Sequence, residues 1–184
     1  AGKLKKLLES SRAENGWDGI TASRPHGSGT EADPYQIGTA QELAWLAYAV
    51  NNQTESGGFS AVLTADVDLG YCQWPVIGTR SSGSQRPYTG TFDGRGHTVS
   101  GLYITSLGGR QKLGLFGVVQ DAVIRNLTVR GSIELTGVRS YDGDTAGYLI
   151  GGLLGSGEGI GVTISNCVSQ VDVSVSFAND QKAQ

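Results

Sequence analysis

Methionine is absent from the 184 residues, position 1 included, so Ala1-Gly2 reads as either a processed or an artificially added start, the first of which would imply a signal peptide upstream. Cysteine is scarce: Cys72 and Cys167 stand far apart, with neither a CxxC nor a Cys/His spacing. That excludes a disulfide framework and a zinc knuckle, and leaves two small buried hydrophobes as the expectation for these thiols. Charge is also sparse, at 17% of residues with a net of −3, which rules out a strongly cationic nucleic-acid binder. No apolar run approaches the roughly 20 residues needed to cross a bilayer, so no membrane span is expected.

Glycine, by contrast, is abundant. The 29 glycines show no G-X-Y period, which excludes collagen, and the 38% of hydrophobic residues suffices for a core. Low lysine with high Gly, Ser and Thr suits a bacterial exported protein. Leu4, Leu7 and Leu8 place residues 1–16 in an amphipathic helix or a linker, with Asn15-Gly16 as its stop. Residues 17–57 form a leading segment rich in turns (Trp17-Asp18-Gly19, Gly27-Ser28-Gly29-Thr30, Asp33-Pro34) followed by a helix from Thr39 to Val50. Thr39 and Glu42 make a capping box, and Leu43, Leu46, Ala47 and Val50 supply the apolar face. From residue 58 to 176 the pattern changes to short β-branched runs between Gly, Asn, Asp and Ser. Residues 177–184 form a polar tail, expected to be truncated from a longer protein.

Within 58–176 a six-residue pattern recurs at Val99–Ile104, Ile124–Val129 and Ile164–Ser169. Its third position is Gly101, Asn126 or Asn166, the residue types that best tolerate left-handed backbone, so a corner is expected there. Gly114-Leu115-Phe116-Gly117 and Gly152-Leu153-Leu154-Gly155 precede the last two copies at an offset of 38, against 40 for the hexads themselves. Two extra residues therefore belong between Gly155 and Gly161. Units of this length cannot bury their own apolar face, but stacked units can. The reading is all-β: a right-handed parallel β-helix with the helix capping its N-terminal end, hexads 99, 124 and 164 marking successive windings, and a sandwich as the alternative.

These residues carry a family resemblance. The two Gly-Leu-x-Gly segments with Ile124-Arg125-Asn126-Leu127 and Ile164-Ser165-Asn166-Cys167 resemble the GLUG repeat of bacterial surface proteins. Residues 27–37, Trp74-Pro75-Val76-Ile77-Gly78 and residues 88–99 are similar to the module that leads into those repeats, so the likeness spans roughly 17 to 175. It implies a right-handed β-helix in a large exported protein, beside adhesin, immunoglobulin-like or protease modules, with no shared catalytic residues.

Other β-helices host polysaccharide-cleaving enzymes, which use clustered carboxylates. Asp66 and Asp68 alternate and are the candidates here, although a solvated face before a turn accounts for them. Asp93, in Phe92-Asp93-Gly94-Arg95, reads as a turn residue bonding nearby amides, and His97 as structural. Asp142-Gly143-Asp144 is a fragment of a calcium loop without the distal glutamate; no cofactor is expected beyond weak calcium there. Asn52-Gln53-Thr54 and Asn126-Leu127-Thr128 fit the N-glycosylation pattern, Asn126 being better explained as a corner. Trp17, Trp45 and Trp74 with several tyrosines could stack sugars if exposed on one flank, but packing at the cap is favoured.

The expected function is a non-enzymatic adhesin or spacer at the cell surface or outside the cell. It would bind a host or cell-wall glycan or protein through loops 79–90 and 137–147, with Arg86, Tyr88, Tyr141, Asp142 and Asp144 as candidate contacts. Neighbouring domains of a longer chain are the other expected partners. The alternatives are a carbohydrate-active enzyme and the non-catalytic domain of a secreted protease.

Overall fold

The computed structural model describes residues 17–54, 59–81, 84–108, 112–138 and 148–177. The expected segment 1–16 and the tail 178–184 lie outside them. The described chain is mostly β, with one helix, α1 (Ala40–Asn52). In chain order the first strands are β1 (Tyr35–Ile37), β2 (Ala61–Leu63), β3 (Val67–Asp68), β4 (Thr79–Ser81), β5 (Ser84–Arg86), β6 (Tyr88–Asp93) and β7 (Thr98–Ile104). They are followed by β8 (Lys112–Leu113), β9 (Phe116–Val138), β10 (Leu149–Ile150), β11 (Leu154–Glu158) and β12 (Thr163–Phe177).

The capping box forms as the sequence predicts. The Thr39 hydroxyl accepts the Glu42 amide at 3.3 Å, and the Glu42 carboxylate accepts the amides of Gly38 and Thr39. The helix runs two residues past Val50 and ends at Gln53, whose left-handed φ of 50° lets its N–H reach back to the last carbonyls. Leu43, Leu46, Ala47 and Val50 are fully buried and share one core cluster with Tyr35, Ile37, Ala61 and Leu63.

The main sheet is parallel throughout, with order β1-β2-β6-β9-β7-β3 and with β11 and β12 also on β9. It curls around the core. Tyr35 pairs with Ala61, Ala61 with Phe92, Phe92 with Ile124, and Ile124 with Ile164. Their side chains form one inward column, buried through Ile124. Tyr88, Phe92 and Phe116 pack in tilted and edge geometry at centroid distances of 5.2 to 6.5 Å, each contact adding about 0.5–1.5 kcal/mol beyond its buried area. Trp74 is buried beside Trp17 and donates its indole N–H to the Leu115 carbonyl at 3.0 Å.

The hexads behave partly as expected. Gly101, Asn126 and Asn166 all have positive φ (69°, 54° and 51°), so each is a corner. Hexads 124 and 164 stack in register at an offset of 40, while Phe116 and Leu154 keep the offset of 38. The two extra residues fall after Glu158, where the Asp121 carboxylate accepts the amides of Ile160 and Gly161 at 3.1 Å. The hexad at 99, however, does not stack on 124. Val99 pairs with Val129, and the segment that stacks on 124 starts at Phe92. Left-handed corners fall in two rows, one at Arg95, Asn126 and Asn166 and one at Tyr71 and Gly101, and short sequence patterns do not tell them apart.

Candidate functional site

Loop 79–90 is not irregular. Thr79–Ser81 and Ser84–Arg86 pair as an antiparallel hairpin, Thr79 opposite Arg86. Its root is narrow. Ile77 bridges Phe116, and Val118 donates its amide to the Gly78 carbonyl at 3.1 Å. The chain then departs, and on return Tyr88 pairs with Val119. A Cβ on Gly78 would sit 2.1 Å from the Val118 oxygen and 2.7 Å from the Tyr88 nitrogen, and Gly78 has φ 82°, so only glycine fits where the two ends approach. Residues 79–87 are thus inserted between neighbouring positions of a continuous parallel rung.

Side-chain contacts of Asn51, Arg80 and Arg86 hold the hairpin and its root. The Asn51 amide donates to the Val76 carbonyl and accepts the Gly78 amide, both at 3.0 Å, tying the root to the end of α1. Arg86 donates to the Gln53 side-chain oxygen. Arg80 pairs with Glu158 of β11 at 2.5 Å, and Lys112 of β8 meets the other Glu158 oxygen at 3.1 Å. Arg80 chiefly, with Lys112, holds the Glu158 carboxyl below its ordinary range against an opposing burial effect. The same contact raises Arg80.

Of the candidate contacts, Arg86 is half-buried on this hairpin. Tyr88 is a correction. It is fully buried, its hydroxyl donates to the Phe59 carbonyl at 2.8 Å, and burial raises its pKa, so it belongs to the core and offers nothing to a ligand. The alternation of strand β6 explains this, since Tyr88 shares the inward face with Phe92. Tyr141, Asp142 and Asp144, and with them the calcium-loop fragment, lie outside the described residues. Among the described residues no three His, Cys, Asp or Glu side chains gather to suit a metal.

The other candidates serve turns and packing. Asp66 accepts the Thr98 amide at 2.9 Å and meets the His97 ring at 3.2 Å, and those contacts, the amide first, lower its pKa. Asp68 accepts the Gly70 amide at 2.8 Å, so the two carboxylates serve different turns. Asp93 lines an outer groove of about 350 Å³ with Glu31, Thr91 and Arg125. Burial acts to raise its pKa, but hydrogen bonds from Asn126, the Arg95 amide and Arg125 outweigh it, and the group stays ionised below its ordinary range. A carboxylate so occupied is a poor general acid. Trp17, Trp74 and Tyr35 are buried, so the sugar-stacking flank does not form from them. Cys72 is buried, its thiol reaching the Trp17 carbonyl at 3.5 Å, and Cys167 is half-buried.

Sequence reasoning missed Asn51, Arg80, Lys112 and Glu158, which gather from four separated elements. No family model matches the chain, and no solved structure matches it. Among curated proteins, halomucin of Haloquadratum walsbyi (strain DSM 16790 / HBSQ001) is 28% identical over 159 residues, an alignment taking in 72% of this chain. The chain spans 2% of the length of that relative.

Proposed function

We propose that the chain is a right-handed parallel β-helix display module of the GLUG kind, acting at the cell surface or outside the cell as an adhesin or spacer, without an enzymatic step. It presents the 79–87 hairpin to a glycan or protein partner. One observation carries this reading: the hairpin leaves and rejoins a single rung at Gly78 and Tyr88 while β9 runs on unbroken beside it. An insertion that leaves β9 continuous and is clamped by the side chains of Asn51, Arg80 and Arg86 is a preorganised projection, the economical form for a recognition loop. The parallel in-register column from Tyr35 to Ile164 supports the β-helix reading, and the likeness to a stretch of halomucin is compatible with surface association.

The test compares the intact chain with one in which a single glycine replaces residues 79–87, on a glycan array and against immobilised cell-wall and extracellular-matrix proteins. The intact chain is expected to bind a defined glycan or protein. The shortened chain is expected to keep its far-UV circular dichroism and lose that binding. Binding that survives the excision overturns the role given to the hairpin, and no binding by either protein overturns the adhesin role in favour of the spacer.

A further inference from the structure

We infer that a cleft between α1 and the root of the hairpin seats one neutral pyranose unit, stacked on Tyr48. The inference goes beyond the display reading: it gives the chain a ligand seat of its own and does not need the hairpin to bind. The cleft holds about 420 Å³, within the range of small-ligand sites, and three stretches of chain wall it. Helix α1 supplies Ala44, Tyr48, Asn51 and Asn52, which share one face at spacings of three and four. Pro75 and Thr79 come from the rung that enters the hairpin, and segment 17–22 forms the remaining wall. Two of the eight large hydrophobics exposed among the described residues border this cleft, Tyr48 at 58% and Ile20 at 87%. Neighbouring apolar groups ordinarily close on each other. Here the segment that carries Ile20 is pinned. The Trp17 ring lies 5.8 Å from that of Trp74, the Asp18 carboxylate accepts the amides of Ile20 and Thr21 at 2.8 and 2.7 Å, and the Ser23 amide donates to the Gln41 carbonyl of α1 at 3.1 Å. The cleft is therefore preformed, and a ligand need not spend binding energy ordering it.

The chemistry of the lining selects the ligand. Among the described residues that line the cleft none is charged, so an ionic ligand would lose hydration without gaining a counter-charge. The polar groups are side-chain amides and hydroxyls. Asn51 is spent on the Val76 carbonyl and the Gly78 amide. Asn52 gives one N–H to the Tyr48 carbonyl at 2.8 Å, which leaves its oxygen for a ligand. Tyr48 and Thr79 add hydroxyls, each able to donate and accept. A neutral pyranose matches this mixture: its hydroxyls also donate and accept, and its C–H face is apolar enough to lie on the Tyr48 ring beside Ile20 and Pro75. An extended peptide recognised by strand addition needs a free main-chain edge, whereas α1 offers side chains only, its main chain being bonded within the helix. Tyr48 is absent from the aromatic residues that the sequence suggests for sugar stacking, because nothing local distinguishes it from its buried neighbours on α1.

The test is a heteronuclear NMR titration of the isotope-labelled 184-residue chain. The probes are the methyl pyranosides of glucose, galactose, mannose and N-acetylglucosamine, with N-acetylproline methylamide as the peptide probe. At least one pyranoside should give saturable shifts at the amides of Ile20, Tyr48 and Asn52, with a dissociation constant in the millimolar range expected of so small a ligand. Tyr48→Ala should weaken that binding by about tenfold and leave distant amides in place, while Tyr48→Phe, which keeps the ring, should stay within about threefold of the parent. No saturable shift with any of the four sugars overturns the inference. So do shifts that survive Tyr48→Ala undiminished, or shifts at these amides from the proline probe but not from the sugars. The two readings fail separately. Sugar shifts that persist when a glycine replaces residues 79–87 uphold the cleft whatever becomes of the hairpin. Array binding that is lost on that excision but kept by Tyr48→Ala upholds the hairpin and overturns the cleft as the glycan seat.

Discussion

Asn126 holds φ at 54° and donates its amide to Asp93 at 3.0 Å, while Asn166 donates to Asn126 at 2.9 Å. The two requirements, left-handed backbone and a row of amides along the stack, together select asparagine over glycine. Asn126→Ala should cost about 1–3 kcal/mol in urea denaturation, from the left-handed strain and the lost hydrogen bonds to Asp93 and from Asn166. Asn126→Gly should cost less, since it removes the row but relieves the backbone. The corner was legible from residue type alone. The row was not, because it joins residues 93, 126 and 166. At Glu158 the effect is local: Glu158→Gln should speed hydrogen exchange in 79–86 and shift overall stability by no more than about 1 kcal/mol, as a partly exposed ion pair does.

Among the elements, α1 was the most legible. Its cap and its apolar spacing lie within a dozen consecutive residues, so local rules suffice. Thr39→Ala removes the acceptor for the Glu42 amide and should lower stability by about 1 kcal/mol, read from the urea midpoint at constant m. The strands were legible as strands, but the hexad at 99 was set one corner out of step. A run of β-branched residue, polar residue, then Gly or Asn occurs at corners of both rows, Gly101 and Asn126 alike, and only pairing with β9 says which one. The hairpin was legible as an inserted loop and not as a clamped one. Tyr88 illustrates the cost of that gap: beside a polar loop it reads as exposed, yet it is the first inward residue of the returning strand.

At the scale of the molecule, the carboxylates that bind the windings share one sign of shift. Asp93 and Glu158 both ionise more readily folded than their ordinary values imply. The unfolded chain therefore takes up protons first as pH falls. Their contribution is present above the unfolded carboxylate pKa and is lost as pH drops through the lower folded values. The thermal midpoint should stay level between about pH 7 and 5 and decline below about pH 4. A midpoint that rises on acidification would contradict the assignment of these pairs. The exposure of Ile164, Val173 and Phe177 on β12 belongs to this scale too, since only their pairing with buried Ile124, Ile133 and Val138 sets them apart.

Composition and local pattern by themselves determined the all-β class, the capped helix, the left-handed corners and the 38 and 40 offsets, because each depends on residues near one another in sequence or on direct repetition. The tertiary structure alone decided which corner stacks on which, that Tyr88 turns inward, that Glu158 reaches back to Arg80, and that α1 packs over the first strands. Those outcomes depend on contacts between residues about 30 to 80 positions apart, where sequence spacing carries no distance until the sheet has brought the strands to about 4.8 Å.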